Sequence, residues 1–126
     1  MKENTLIIDI RRPIDTVFWF TVDPRNTPAW IEGIVKEKSS QWPPKKGTIY
    51  SNTDQQGNSA RYVCTNFEEN RIFELHEING KYHVRYTFEK KAKGTRLIYF
   101  EWMDKGPLRS PFQQQVLERL KLVLEK

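Results

Sequence analysis

Apolar and polar positions change rhythm twice along this 126-residue chain. Residues 5 to 11, TLIIDIR, read as a first strand. Ile14, Val17, Phe18 and Thr21 then recur at helical spacing, and Pro13 suits the start of that helix because its missing N–H costs nothing there. Asp23-Pro24 and Thr27-Pro28 push the residues before proline out of the helical region. The stretch TVDPRNTPAW (21 to 30) therefore predicts a helix end, a bend and a second short helix ending at Ala29 or Trp30. A tryptophan buries too much apolar area to close a purely solvated loop.

From Gly33 the period becomes two, with turn residues at short intervals. Strands are predicted over 34–38, 47–53, 60–67, 71–78, 81–90 and 95–103. Asn79-Gly80 predicts a two-residue type I′ hairpin turn, because both positions tolerate positive φ. That turn sets 73 opposite 86, 74 opposite 85, 75 opposite 84 and 76 opposite 83. One face then carries Phe73, Leu75, Tyr82, Val84, Tyr86 and Phe88, and the other pairs Glu74 with Arg85 and His76 with His83. For the next hairpin two registers compete. A four-residue loop, 91 to 94, turns Leu97, Tyr99 and Glu101 inward; a three-residue loop with Gly94 as a bulge turns Ile98, Phe100 and Trp102 inward instead.

The pattern returns to helical at the C-terminus. Ser110 is placed to cap, Pro111 to occupy the first helical position and Gln113 to complete a capping box. Phe112, Val116, Leu117, Leu120, Val123 and Leu124 form one wide apolar stripe. Such a helix needs a large apolar partner, and the concave side of a curved antiparallel sheet supplies one.

Composition narrows the function. The length fits one domain spanning residues 1–126. Net charge is +5, but the 21 basic residues are dispersed among 16 acidic ones. The tightest basic group, Lys90, Lys91 and Lys93, reads as a solvated turn beside Gly94, which argues against a nucleic-acid partner. Cys64 is the only cysteine, so no intrachain disulfide forms and a reducing compartment suits the chain. The longest early apolar run, Leu6 to Ile8, is far short of a signal-peptide core, and no segment is long enough for a membrane span. A cytoplasmic location is expected.

The order of elements is strand, two short helices, about six antiparallel strands and one long amphipathic helix. Within it stand Arg12-Pro13 with Val17-Phe18, Asp23-Pro24, Pro28-Ala29-Trp30, Gly33-Ile34, Lys46-Gly47-Thr48, Gly94-Thr95-Arg96-Leu97 and Leu117-Glu118-Arg119-Leu120-Lys121. In these the chain resembles the START-like, birch-pollen-allergen-like superfamily (SRPBCC), and within it the polyketide cyclase/dehydrase group. The resemblance spans nearly the whole chain and implies an α+β helix-grip fold: about seven antiparallel strands curved around the long C-terminal helix, with two short helices after the first strand. It also implies that Trp30 locks the short helices onto sheet and long helix.

Candidate chemistry is sparse. Tyr62, Tyr82, Tyr86 and Tyr99, with Val84, Phe88 and Leu97, line the face that the long helix covers. They are the makeup of a pocket for a small hydrophobic or aromatic molecule, with hydroxyls to hold a polar group. The same tyrosines also suit an ordinary core. Glu101, inward only in the four-residue register, is the single carboxylate placed to act as a general base or to bind a polar ligand group; an exposed rim position is the plainer reading. His76 and His83 face each other but make only two metal ligands, so no metal site is expected. Cys64 reads as a small buried residue. There is no Gly-rich phosphate loop, nucleophile elbow or HExxH helix, and no cofactor is expected. Three functions follow: a binding module for a small hydrophobic ligand, a polyketide cyclase or dehydratase using Glu101, and an interaction module, such as a homodimer, using Ile98, Phe100 and Trp102 on the convex face.

Overall fold

The computed structural model describes residues 2–126. Strand β1 (Glu3–Ile10) leads into α1 (Ile14–Val22), a 3₁₀ turn (Pro24–Asn26) and α2 (Thr27–Trp30). Six strands follow: β2 (Ile34–Ser39), β3 (Ile49–Asp54), β4 (Ser59–Glu68), β5 (Ile72–Glu77), β6 (Tyr82–Lys91) and β7 (Gly94–Met103). Helix α3 (Gln114–Leu124) closes the order. All seven strands form one antiparallel sheet in the order β1-β7-β6-β5-β4-β3-β2. This is the helix-grip architecture expected from the sequence.

Both central registers are settled. Phe73 pairs with Tyr86, Glu74 with Arg85, Leu75 with Val84 and His76 with His83. Phe88 pairs with Leu97, Tyr86 with Tyr99 and Val84 with Glu101, so the four-residue register holds and the bulged alternative does not form. Ile98, Phe100 and Trp102 lie on the convex side. Gly94 is needed at this turn because β1 ends against it. Its φ is +147°, and a Cβ there would lie 2.2 Å from the Ile10 carbonyl oxygen.

Two local expectations are corrected. Asn79 has φ +62°, but Gly80 has no positive φ, so the turn is not type I′. Gly80 N–H donates to the Glu77 carbonyl at 3.2 Å, and Ile78 N–H donates to Arg61 of the neighbouring strand at 2.9 Å. That cross-strand bond takes 78 out of the hairpin and widens the turn without moving the register. The C-terminal helix starts at Gln114 rather than after Ser110, and Gln113 caps it without a side-chain bond. The Phe112 N–H, one of the donors that a Ser110 cap would satisfy, is instead taken by the Glu101 carboxylate at 2.7 Å.

The core lies between the concave sheet face and the helices. Leu117 and Leu120 of α3 are fully buried, as are Val17 and Phe18 of α1; burying each such side chain is worth about 1.5–3 kcal/mol. Trp30 is 1% exposed and meets Tyr86 edge-on at 6.4 Å. Arg119 of α3 donates to the Ala29 carbonyl at 3.0 Å, so α2 is fastened to both sheet and long helix. Two neighbouring prolines and a buried indole thus turn the chain and anchor it.

Candidate functional site

Period-two alternation on β6 and β7 brings the predicted residues to one concave surface. Val84, Tyr86, Phe88, Leu97, Tyr99 and Glu101 are buried there, and Tyr62 and Tyr82 are half-buried. They divide along the strands. Phe88 and Leu97 sit at the α1 end, where Phe88 meets Phe18 at 5.0 Å. Tyr82, Tyr99 and Glu101 gather at the other end, under the approach to α3.

Glu101 is 1% exposed, so the rim reading is excluded. Its Oε1 accepts from the Tyr82 hydroxyl at 2.5 Å and the Tyr99 hydroxyl at 3.2 Å. Its Oε2 accepts from Asn4 Nδ2 at 2.8 Å and from the Phe112 N–H at 2.7 Å. Four donors satisfy both oxygens of this side chain internally, as burial of a polar group requires. The two tyrosine hydroxyls are also 3.1 Å apart. Above them the Phe112 ring lies flat on Tyr99, with centroids 4.4 Å apart and planes 3° apart.

Burial raises the phenol pKa values throughout this face. Tyr62 is pushed up to about 12, with the Glu77 and Glu37 carboxylates adding to the effect. Tyr86 and Tyr99 rise well above the usual value, chiefly by desolvation. Tyr82 rises by burial first and then through its bond to Glu101. All four hydroxyls are therefore neutral near pH 7, and those of Tyr82 and Tyr99 donate to Glu101. At the β2 side of the same face Glu37 accepts from the Thr27 hydroxyl at 2.5 Å, and desolvation raises its carboxyl.

A depression of about 470 Å³ opens beside this cluster, lined by Trp30, Glu32, Pro111, Phe112, Gln113, Gln115, Val116 and Arg119. The buried Trp30 Nε1 has no hydrogen-bond partner among the described residues. The concave face itself is packed as the hydrophobic core.

Sequence reasoning missed Asn4 and Phe112 as partners of Glu101. Asn4 is paired with Glu101 by the β1–β7 register, a contact across most of the chain that no local signal announces. It also missed Asp104. Among the described residues, His76, His83 and Asp104 form one group whose ligating atoms lie within 4.8 Å of one another, on the convex side. Cys64 is buried as expected, and burial raises its thiol to about 11.

No protein-family model matches the chain, and no curated protein matches it in sequence. Solved structures do match in shape. A Nitrosomonas europaea protein superposes with a TM-score of 0.75 at 12% identity, over 98% of this chain and 94% of its own. The Aha1 dimer of Colwellia psychrerythraea gives 0.73 at 12%, over 99% and 97%. A polyketide-cyclase-like protein of Corynebacterium glutamicum gives 0.60 at 20%, over 80% of this chain and 64% of its own. The chain has the helix-grip fold, in common with these polyketide-cyclase-like and Aha1 structures.

Proposed function

We propose that the protein binds a small hydrophobic or aromatic molecule between the sheet and the C-terminal helix, entering through the depression beside Phe112. One observation carries this reading: Phe112 already sits as such a ligand would. It places an aromatic ring flat on Tyr99 and a hydrogen-bond donor on Glu101. A planar aromatic molecule bearing a hydroxyl reproduces both contacts if the 110–113 segment swings aside. Trp30 lines the same depression, and its Nε1, without a partner among the described residues, adds a donor for an acceptor group on the ligand.

Binding is favoured over catalysis by the state of Glu101. A general base needs a free lone pair facing substrate, and all four donors around this carboxylate come from the protein itself. The cyclase reading therefore requires the same displacement of Phe112 before any proton moves.

Thermal-shift assays and native mass spectrometry with hydroxylated aromatics, sterols and fatty acids test the proposal. Hydroxylated aromatics should raise the Tm, since a ligand that binds only the folded state stabilises it. Phe112→Ala should raise their affinity by removing the internal competitor. No bound species and no shift, in either wild type or variant, would overturn it.

A further inference from the structure

The convex face holds a second cluster, independent of the ligand reading. His76 of β5 and His83 of β6 are directly opposed, and their rings stack with centroids 4.1 Å apart and planes 6° apart. His83 stacks in turn on Trp102 of β7 at 4.6 Å and 4°. Asp104 N–H donates to the Lys81 carbonyl at 3.0 Å, which continues the β6–β7 pairing past Tyr82 and Met103. Its side chain thereby reaches His83, with Oδ2 2.8 Å from Nε2. His76 Nε2 lies 3.1 Å from the Gly80 carbonyl oxygen.

We propose that His76, His83 and Asp104 bind a divalent transition metal of the zinc type at the end of β5, β6 and β7.

The donor set argues for that class. Two imidazoles and one carboxylate suit Zn²⁺, Ni²⁺ or Cu²⁺, whereas Mg²⁺ and Ca²⁺ call for oxygen ligands. The geometry is close. Bonds of about 2.0–2.1 Å at tetrahedral angles put ligand atoms roughly 3.4 Å apart, and the three groups already lie within 4.8 Å. To meet on one ion the two stacked rings must splay about their side-chain torsions until their in-plane lone pairs converge, while the paired strands fix the backbone. Each imidazole gives up one hydrogen bond for the metal and carries its proton on the other ring nitrogen. Of the cations on this side, Arg85 is neutralised by Glu74 at 2.8 Å, and Lys2 acts on the Asp104 carboxylate, a weak competitor for an ion there. The Asp104 side chain is 54% exposed, so the ion has an approach from water and a fourth position that solvent fills.

Trp102 makes the site readable. It is not a ligand, but it stacks on one, so a paramagnetic ion bound here lies close enough to quench its emission. The experiment is a Zn²⁺ titration by calorimetry on tag-free protein, repeated with His83→Gln and Asp104→Ala, and a parallel Cu²⁺ fluorescence titration with Trp102→Phe. Zn²⁺ should bind one to one. Each ligand variant should weaken it by more than about tenfold, since losing even an outer partner of a ligand costs roughly 10–100-fold. Copper quenching should shrink in Trp102→Phe while Zn²⁺ binding persists. Circular dichroism establishes that the variants fold. Absence of Zn²⁺ binding in wild type, or binding of unchanged affinity in both ligand variants, would overturn the proposal.

Discussion

Tyr99 and Trp102 belong to one strand but to opposite worlds. Tyr99 is 1% exposed beneath Phe112, while Trp102 is a half-buried ring between His83 and Phe100 on the outer face. Tyr99→Ala should therefore cost about 3–5 kcal/mol, as buried aromatic truncations do. Trp102→Ala removes stacking on a wet face and should cost about 1 kcal/mol. Urea melts of the two variants measure the difference, and equal losses would contradict the register.

Glu101→Gln keeps the shape but puts an NH₂ group among groups that already donate. Either Asn4 and Phe112 or the two tyrosines lose their acceptor, and the buried groups left without partners should cost about 2–3 kcal/mol. A melt unchanged within error would mean that the four-donor arrangement contributes nothing to folding.

Glu37 gives a pH-dependent prediction. Its carboxyl is raised by desolvation above the usual 4.5, so the folded protein holds that proton more tightly than the unfolded chain does. The stability it contributes is fully present below pH 4.5 and is lost as pH rises through the folded value. Glu37→Gln cannot ionise and still accepts from Thr27. Relative to wild type the variant should therefore gain stability between pH 4.5 and 7. Denaturant melts at those two pH values test the sign; a variant that falls behind as pH rises would refute it.

Cys64 behaves similarly at the alkaline end. Burial moves its thiol from the usual 9.0 to about 11, so stability should decline as pH rises from 9 to 11, when only the unfolded chain ionises freely. Cys64→Ala should flatten that slope, though not the part that the buried tyrosines add above pH 10. Reaction of the native thiol with an aromatic disulfide at pH 8 should be slow and should accelerate sharply in denaturant.

What was legible in the sequence follows distance along the chain. Leu75 opposite Val84 could be read because period-two alternation and a nearby turn both act locally; Tyr86 opposite Tyr99 could not, because two loop lengths at Gly94 fit the same residues and only the packed sheet chooses between them. The type of turn at Asn79 could not, since Arg61 on another strand decides it. The capping signal at Ser110 was genuine chemistry overruled from outside, by the carboxylate of Glu101 reaching Phe112. Asn4 and Asp104 carry no signal of their own. They matter because strand pairing delivers them to a partner that the local pattern does not contain.

The place of β1 in the sheet bears on how the chain is made. Among the described residues it pairs with β7 alone, Ile10 beside Thr95. At roughly 5–20 residues per second a ribosome takes about 4–17 s to cover the stretch between them. Throughout that interval Leu6, Ile8 and Ile10 have no sheet to join, and no α3 exists to cover them. The first of these seven strands to be made is thus among the last to be used. Synthesis leaves an apolar, unpaired segment in water for seconds, long enough for a chaperone that holds short extended apolar peptides to engage it first.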